Sequence, residues 1–544
     1  MSQEQVPVLI VGGSLVGMST ALLLGYHDVP TLVVERHPGS AIHPRAAMML
    51  QRSMEIMRTV DVEGELVRQS FEQFDPDGAI MAVETLAGEE LAWYMKHVND
   101  GVRDMSPCER TFVTQIALEP LLCRRAAELG ADIRFETELV GLSRDTDGVS
   151  AVIRGRDGGP STDVRAQYVV AADGPGSRVR SQLGIGVRGH GVFSKAVTIY
   201  FRADVEHLLR GRNLSVIMVN NPELRGFFRI EKPYKSGFLV VHTLGDPDDP
   251  VTDIWPDRDE PGWASLVHAG LGTTDVEVSI EDVMRWKAVA DVAERFQDGR
   301  VFLAGDAAHT MPPYGGYGGN VGIQDAHNLA WKLAFVLRGQ APPELLATYE
   351  PERRPVAEFT AEQAYSRYVT RAAPYLAAKG MQEIVGDLEI DLGYRYPSLV
   401  GEDAAVSGDP RECGGMPGTR APHVWLEGGD GGDRVSTLDL FGRRFVLLCG
   451  PGASGWSEAG GAAAAELRID LDVHADLRAA DPEHGFTDAY GIHPDGAVLV
   501  RPDGFVGWRA EGGADAAAGT LTHALSTLLC RQEPAPAVPV PDVH

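Results

Sequence analysis

Residues that could bind a flat, partly anionic group are concentrated in one segment, RVFLAGDAAHTMPPYGGYGGNVGIQDAHNLAWKLA at 300–334. Asp306 ends an apolar strand and can accept hydrogen bonds from sugar hydroxyls, and the adjacent Pro312 and Pro313 form a rigid wall. The glycines that follow permit a flat ring to lie against the main chain, because no Cβ projects from them. These glycines are Gly315, Gly316, Gly318, Gly319 and Gly322. A helix predicted from about Ile323 to Leu337 directs its N-terminal amides at the loop.

A second candidate site lies near the N-terminus in VPVLIVGGSLVGMSTALLLGYHDVPTLVVE, which is typical of a strand, a glycine turn, a helix and a second strand. The glycines of the turn, Gly12, Gly13 and Gly17, let a pyrophosphate approach the backbone and let the helix pack on the sheet. Ser14 replaces the second glycine of the GxGxxG pattern, where its hydroxyl could still donate to phosphate. Glu35, at the end of the second strand, is placed to accept hydrogen bonds from a ribose. The pattern predicts nucleotide binding, with an ordinary tight turn as the alternative.

A third motif, VVAADG at 169–174, is a buried strand that ends in Asp173. Ser177 could cap a short helix that carries Arg178 and Arg180. A strand end, a carboxylate and two guanidinium groups form a plausible dinucleotide contact, although an Asp-Gly pair after a strand is also typical of a simple turn.

The composition favours a small-molecule partner. The 544 residues, of which 44% are hydrophobic, predict about two to four domains. Lys and Arg total 49 against 77 Asp and Glu, a formal charge of −28, and such a polyanion is repelled by nucleic acid and by anionic membrane surfaces. Apolar runs fall short of the roughly 20 residues that a membrane span requires, and the N-terminus lacks signal-peptide features. We therefore expect a cytoplasmic protein.

Metal and thiol chemistry are not expected from this sequence. The five cysteines are widely spaced and form no CxxC pair, which favours free thiols used as small apolar residues. No HExxH or clustered Cys/His pattern predicts a metal site. His309, in GDAAH, is interpreted as a structural hydrogen bonder without a chemical role.

Two further regions are predicted around these motifs. Alternating stretches across 181–284, such as AVTIYFRADV and SGFLVVHTL, are typical of an antiparallel sheet with one face covered. A segment rich in Gly, Pro and Asp after residue 400 indicates a linker, and a separate domain is predicted beyond it. Cys449 in that domain is followed by GPG rather than by a second cysteine, so a structural or oligomerisation role is favoured over thiol chemistry.

The three motifs, in this order and spacing, resemble those of a known family. They are LIVGGSLVGMSTALLL with Glu35, VVAADGPGSRVR, and GRVFLAGDAAHTMPPYGGYGGNVGIQDAHNLAWKLA. The chain is similar to single-component FAD-dependent aromatic hydroxylases, the class A monooxygenases of the para-hydroxybenzoate and phenol hydroxylase type. Its full length and its C-terminal extension are similar to those of the branch of this family that tailors aromatic polyketides in antibiotic pathways.

The resemblance implies a fold of mixed α/β and α+β character with three domains. These are a Rossmann-like FAD-binding domain of the glutathione reductase type, an antiparallel-sheet substrate domain, and a C-terminal thioredoxin-like domain without CxxC. The implied boundaries are 1–73, 106–180 and 285–400 for the FAD-binding domain, 74–105 and 181–284 for the substrate domain, and 401–544 for the C-terminal domain. The aromatic residues that could line the substrate pocket or pack in the sheet are Trp93, Tyr94, Phe227, Phe228 and Phe238.

Cofactor-binding residues are also implied by the resemblance. Those expected on the ADP part of FAD are Gly12, Gly13, Ser14, Gly17 and Glu35, with Arg36 beside the adenosine. Those expected near the pyrophosphate and the ribityl chain are Arg45, Gln115 and Asp306. Asp173 matches an aspartate tied to both FAD and NADPH.

Around the flavin ring, the resemblance implies a set that follows the second proline. Its members are Pro313, Gly316, Gly319, Asn320, Val321, Gly322 and Ile323, the last two as backbone donors to the pyrimidine edge. Pro313 and Arg45 would position the flavin for catalysis, and no catalytic acid or base is singled out.

The implied activity is that of a monooxygenase. FAD, bound without a covalent link, would be reduced by NADPH or NADH and react with O2, and the C4a-hydroperoxide would hydroxylate a phenolic, polyketide-like aromatic. The protein would be a monomer or homodimer. Baeyer–Villiger oxidation or epoxidation on the same scaffold is one alternative. An oxygen-independent flavin reductase or dehydrogenase, or a non-catalytic flavin-binding partner protein, is another.

Overall fold

The computed structural model describes residues 3–43, 48–246, 249–252, 254–401, 404–427, 434–475, 477–480, 485–513 and 517–531. Arg45, one of the predicted site residues, lies outside these ranges. The chain forms two compact units. Unit 1 comprises Met1–Ala330, Arg353–Tyr394 and Val406–Asp409, and unit 2 comprises Trp331–Glu352, Arg395–Ala405 and Pro410–His544. Among the described helices, none combines the length and the apolar character needed to cross a membrane.

The first twenty strands and ten helices lie between residues 4 and 392. The strands are β1 (Glu4–Val11), β2 (Thr31–Val34), β3 (Met48–Met49), β4 (Ala79–Val83), β5 (Glu90–Met95), β6 (Thr111–Phe112), β7 (Asp132–Arg134), β8 (Thr137–Arg144), β9 (Val149–Gly155), β10 (Ser161–Ala171), β11 (Val187–Arg202), β12 (Leu214–Asn220), β13 (Arg225–Glu231), β14 (Ser236–His242), β15 (Leu244–Asp246), β16 (Asp249–Thr252), β17 (Ser279–Ala293), β18 (Gln297–Asp298), β19 (Val301–Leu303) and β20 (His309–Thr310). The helices are α1 (Leu15–Tyr26), α2 (Gln51–Thr59), α3 (Glu63–Gln73), α4 (Gln115–Glu128), α5 (Arg178–Gln182), α6 (Glu206–Leu209), α7 (Glu260–Leu271), α8 (Tyr317–Leu337), α9 (Tyr349–Arg371) and α10 (Asp387–Leu392).

The predicted N-terminal strand–helix–strand unit is confirmed in a sheet of order β18-β19-β10-β1-β2-β7. Strands β19, β10, β1, β2 and β7 run parallel. The last four residues of β1, Val8–Val11, are buried, as expected of a central parallel strand that is covered on both faces. Because parallel strands share a carboxyl edge, the turn after β1 and the segments after β10 and β19 meet there.

A second eight-stranded sheet has the order β20-β17-β11-β14-β13-β12-β4-β5. The antiparallel sheet predicted over 181–284 is confirmed, although β17 continues to Ala293. Strands β4 and β5 also join this sheet, and they come from the segment 74–105 that was assigned to the same domain. Its outer face packs on α7 through an apolar core that includes Ile199, Phe228 and Leu239. Period-2 alternation therefore sorts the side chains onto two faces.

The opposite side of this sheet, the inner face, carries larger and more polar side chains. Its members on β11, β13, β14 and β17 are Thr198, Tyr200, Phe227, Arg229, Phe238, Val240, His242 and Trp286. They form three rows across the strands. Tyr200, Phe238 and Arg229 are register neighbours in the first row, Thr198, Val240 and Phe227 in the second, and Trp286, Ala196 and His242 in the third.

Helix α8 begins at Tyr317, six residues earlier than predicted. Glycines in a first turn lower helix propensity, and the sequence pattern therefore placed the start too late. Packing explains the early start: a Cβ on Gly319 would come within 2.9 Å of Leu15, and one on Gly322 within 2.5 Å of Val16. These glycines let the first turns of α8 and α1 approach each other.

Unit 2 is built on a four-stranded sheet. Its elements are α11 (Pro397–Val400), β21 (Trp425–Leu426), β22 (Val435–Ser436), β23 (Phe445–Cys449), α12 (Ser454–Leu467), β24 (Leu471–His474), α13 (Phe486–Tyr490), β25 (Ala497–Val500), β26 (Val506–Ala510) and α14 (Ala517–Leu528). The sheet order is β24-β23-β25-β26, with β23 parallel to β24 and antiparallel to β25. Burial raises the pKa of the Cys449 thiol to about 11, which disfavours the reactive thiolate.

A buried ionic cluster lies within unit 2. Glu352 accepts hydrogen bonds from Lys332 at 2.8 Å and from both terminal nitrogens of Arg501 at 2.8 Å, and Asp503 also pairs with Arg501. All four side chains are at most 3% exposed. Burial raises the pKa of Glu352, but the charges of Arg501 and Lys332 lower it more, to about 2.

We expect this cluster to make unit 2 sensitive to acid. A carboxylate whose folded pKa lies below its unfolded value stabilises the fold above the unfolded pKa and loses that contribution as the pH falls through the folded pKa. For Glu352 the window runs from 4.5 to about 2, and the loss is about 3 kcal/mol. Guanidinium unfolding, followed by tryptophan fluorescence, should therefore show a steeper loss of stability over this window in wild type than in Glu352→Gln. Equal slopes would contradict the assignment.

Candidate active site

The turn after β1 is a tight backbone crossing. Gly12 has φ +102°, and a Cβ there would lie 2.3 Å from the carbonyl oxygen of Ala172, at the end of β10. The amide of Gly13 donates to Glu35 at 2.6 Å, and the second oxygen of Glu35 accepts from the amide of His37 at 2.8 Å. Glu35 therefore fixes the glycine turn, and its oxygens retain lone pairs for a further donor.

Glu119, a residue of α4 that the sequence analysis missed, contacts this turn. Its buried carboxylate accepts from Ser14, from the amide of Leu15 at 2.9 Å, from the amide of Ala41 at 2.6 Å and from Gln115 at 2.5 Å. Gln115 also donates to Ser14 at 3.0 Å. The i, i+4 spacing of Gln115 and Glu119 on one helix face was the available signal.

Asp173 acts as a cap in this structure. Its carboxylate accepts from Ser177 at 2.5 Å and from the amide of Arg178 at 2.8 Å, and Ser177 accepts from the amide of Arg180 at 3.0 Å. The predicted capping by Ser177 is confirmed. Arg180 also donates to the carbonyl of Ala307 at 2.7 Å, which ties this motif to the loop that carries Asp306.

Asp306 follows β19 in a short 3-10 turn, with its side chain exposed. The turn is held by Asp325, a fully buried residue of α8 that the sequence analysis missed. Asp325 accepts from the amide of Gly305 at 3.1 Å, from His309 at 2.7 Å and from Arg353 at 2.8 Å. Burial raises the pKa of Asp325, but the charges of His309 and Arg353 lower it more. His309 has the structural hydrogen bond that was predicted.

Asn320 clamps the loop between Pro313 and α8. Its amide nitrogen donates to the carbonyls of Met48 at 2.8 Å and Gly316 at 2.7 Å, and its amide oxygen accepts from the amide of Leu50 at 2.9 Å. The side chain is 2% exposed, so its polar atoms are used within the protein. Pro313 is exposed beside this clamp.

The first turns of α1 and α8 converge beside the exposed Asp306 and Pro313. A helix N-terminus leaves its first amides without helical acceptors and is positive, so the convergence offers one place for a pyrophosphate and one for an anionic ring edge. FAD carries both groups, and these residues fit it. Because α8 starts at Tyr317, Gly322 and Ile323 lie in its second turn, where amides are bonded within the helix. The amides that the helix leaves free for a ligand therefore belong to its first turn, which contains Gly318 and Gly319, rather than to Gly322 and Ile323.

The inner face of the second sheet meets the same loop. Tyr314, directly after the two prolines, hydrogen-bonds His242 at 3.3 Å, and its ring lies 6.4 Å from that of Phe227. At the other end of the sheet, the ring of His43 stacks on Tyr200 at 4.6 Å. Phe227 and Phe238 lie on the inner face as a pocket wall would, whereas Phe228 belongs to the outer core.

Burial determines the protonation states of His242 and Tyr314. It lowers the pKa of His242 to about 3 and raises that of Tyr314 well above 10, so both groups are neutral at physiological pH. Within the described residues, no cluster of three or more His, Cys, Asp or Glu side chains could hold a metal ion.

Fold and site together define a nucleotide-binding α/β protein in which an aromatic sheet face is held against the cofactor loop. Residues 5–364 match the FAD binding domain family, and residues 414–531 match the family of aromatic-ring hydroxylase C-terminal domains. The chain belongs to the FAD-dependent aromatic-ring hydroxylases.

Individual relatives agree with this assignment over nearly the full length. A 4-methyl-5-nitrocatechol 5-monooxygenase from Burkholderia sp is 50% identical over 97% of this chain and 98% of its own. Aklavinone 12-hydroxylase RdmE of Streptomyces purpurascens is 38% identical over 98% of this chain and 100% of its own. The crystal structure of a ternary complex of aklavinone-11 hydroxylase with FAD and aklavinone superposes with a TM-score of 0.90 at 37% identity, covering 98% of this chain and 100% of that one. The chain is thus an FAD-dependent monooxygenase of aromatic compounds.

Proposed function

We propose that the chain hydroxylates an electron-rich phenolic ring bound between the inner sheet face and the loop around Pro313. The observation that carries this proposal is the Tyr314–His242 hydrogen bond, which joins the cofactor loop to an aromatic sheet face. The inner face beside this hydrogen bond carries Phe227 and other large apolar side chains, which suit a flat ring. When bound, FAD supplies the redox chemistry, taking electrons from NADPH or NADH and activating O2.

The chain's own residues would hold the cofactor and exclude water. We propose FAD contacts for the predicted positions Gly12, Gly13, Ser14, Gly17, Glu35, Arg36, Arg45, Gln115, Asp173, Asp306, Pro313, Gly316, Gly319, Asn320 and Val321. The amides at the N-terminus of α8 would face the negative edge of the reduced ring. Glu119 would act indirectly, by fixing the segments that make contact.

The finer domain assignments are also proposals. A parallel sheet with a glycine turn and an acid at the next strand end supports a Rossmann-like domain at 1–73, 106–180 and 285–400. The order β24-β23-β25-β26, with helices α12 and α14, supports a thioredoxin-like domain at 401–544 without redox function. A cytoplasmic location and a monomeric or homodimeric state stay predictions.

The substrate class is narrowed by the relatives. One acts on a nitrocatechol and others on polycyclic aklavinone, and each of these compounds has a phenolic ring. We therefore propose catechols and larger phenols as substrates, with nitrocatechols as the first compounds to test because that relative is 50% identical.

Isotope labelling tests the reaction. Purified protein should be yellow, should oxidise NAD(P)H faster in the presence of the aromatic compound, and should place one atom of ¹⁸O from ¹⁸O₂ on an intact carbon skeleton. Ring expansion or an epoxide would support the alternative oxygenations. Turnover of NAD(P)H without incorporation of oxygen would contradict monooxygenation and favour an oxygen-independent reductase.

Asp306→Ala should lower FAD content strongly. A carboxylate that accepts from the ribityl chain contributes about 1.5 to 3 kcal/mol, which corresponds to a roughly 10- to 150-fold weaker Kd. The measurement is the absorbance ratio of flavin to protein, followed by titration of the apoprotein with FAD. Asp204→Ala, which changes an exposed aspartate of the second sheet region, is the matched control. Normal loading of Asp306→Ala would show that this placement is wrong.

A further inference from the structure

Arg229 is a buried cation that has no hydrogen-bond partner among the described residues. The residue is 5% exposed, and its Nε and Nη2 atoms have no acceptor. The guanidinium carbon lies 4.5 Å from the ring centroid of Phe74 and 4.8 Å from that of Phe112. These contacts hold the planar group in place, while its N–H donors require acceptors elsewhere. An unsatisfied buried charge is costly, so the arrangement indicates a partner other than the described side chains.

The nearest acid does not fill that role. Glu231, two residues further along β13, influences Arg229 electrostatically, but the two described side chains form neither an ion pair nor a hydrogen bond. Burial raises the pKa of Glu231 and lowers that of Arg229 to about 10. Arg229 thus stays positive at neutral pH.

Its position connects Arg229 to the substrate space. On the inner face it is the register neighbour of Phe238. Met48 packs against the cluster of Phe74 and Phe112, and its Cβ lies 3.3 Å from where a side chain on Gly316 would begin. The guanidinium is therefore connected to the cofactor loop through two layers of side chains, first the rings of Phe74 and Phe112 and then Met48.

A second unsatisfied group lies at the other end of the same face. His242 is 1% exposed, and its Nδ1 has no partner. Through the strand register, His242 and Arg229 are four residues apart along the strands, or about 13 Å. Phe227 and Val240 lie between them. The inner face therefore has a polar group at each end of an apolar floor.

We propose that Arg229 binds an anionic oxygen of the aromatic substrate, such as an ionised phenol, an enolate or a nitro oxygen. This proposal rests on the function proposed above. A guanidinium can direct two N–H donors at one anionic oxygen or at the two oxygens of a nitro group, and it keeps its charge when buried. Recognition at this point would select substrates that carry an ionised ring and would orient that ring over Phe227.

The test uses FAD-loaded enzyme and two probe ligands that differ in charge. 4-Nitrocatechol is ionised at about pH 8, whereas catechol keeps its protons there because an ordinary phenol ionises near pH 10. Binding is measured through the perturbation of the flavin spectrum. Arg229→Met should weaken the binding of 4-nitrocatechol by about 10- to 100-fold and the binding of catechol by less than about 3-fold. The affinity of Arg229→Lys for 4-nitrocatechol should lie between those of wild type and Arg229→Met, because lysine keeps the charge but lacks the paired N–H donors of a guanidinium.

Stability and cofactor content distinguish this role from a structural one. Removing an unpaired buried charge should leave the melting temperature of Arg229→Met equal to or above that of wild type, with FAD content unchanged. Arg202→Met, which replaces an exposed arginine at the end of β11, should leave the affinity for both ligands unchanged. Equal weakening of both ligands, loss of FAD, or a melting temperature lower by more than about 3 °C would overturn the proposal. If wild-type enzyme bound neither ring, the proposed function itself would fail first.

Discussion

Gly12→Ala should yield a protein with little or no bound FAD. The new Cβ would lie 2.3 Å from the carbonyl oxygen of Ala172, and that atom belongs to the backbone at the end of β10, so it cannot move aside alone. The φ of +102° adds strain for any residue with a side chain. Strain and overpacking together amount to about 2 to 6 kcal/mol, concentrated where the pyrophosphate would approach. Flavin content should fall below about a tenth of wild type.

Gly64→Ala is the matched control for that substitution. Gly64 lies in α3, and a Cβ there meets nothing within 4 Å. Alanine in a helix favours stability by up to about 1 kcal/mol over glycine, so this variant should bind FAD normally and melt no earlier than wild type. If Gly12→Ala contained as much flavin as wild type, the contact between Gly12 and the carbonyl of Ala172 would have to be less tight than in this structure.

Asp325→Asn should destabilise unit 1 by about 3 to 5 kcal/mol, because the buried guanidinium of Arg353 loses the carboxylate with which it is paired. Both side chains are fully buried. The same change weakens the acceptor for the amide of Gly305, so the turn that carries Asp306 should lose its fixed position. We expect a lower melting temperature and weaker FAD binding in one variant, measured by thermal unfolding and by titration with FAD.

A double variant separates these two effects. Combining Asp325→Asn with Arg353→Met also removes the charge that lost this carboxylate and should recover much of the stability, since breaking one side of a buried ion pair costs more than removing both charges. FAD binding should recover less, because Gly305 and His309 still lack the carboxylate. A single variant as stable as wild type would contradict the role given to Asp325.

Some features of this protein were determined by the sequence alone. The glycine turn with Glu35, the capping of α5 by Ser177 and the antiparallel sheet after residue 187 follow from local patterns. Such patterns repeat at the period of one strand or helix and depend on the chain's immediate neighbours. Local propensity also explains the main error, the predicted start of α8 at Ile323. The glycines before Ile323 have low helix propensity, whereas packing in the folded protein lets the helix begin at Tyr317.

Tertiary structure alone decided which side chains hold the site together. Glu119 reaches the amide of Ala41 from 78 residues away, and Asn320 reaches that of Leu50 from 270 residues away. Hydrogen bonds between such distant segments leave no periodic signal, because each partner looks like an ordinary helix or loop residue by itself. The face on which Arg229 and His242 lie likewise depends on strand register, and a shift of one residue would have placed both in the outer core.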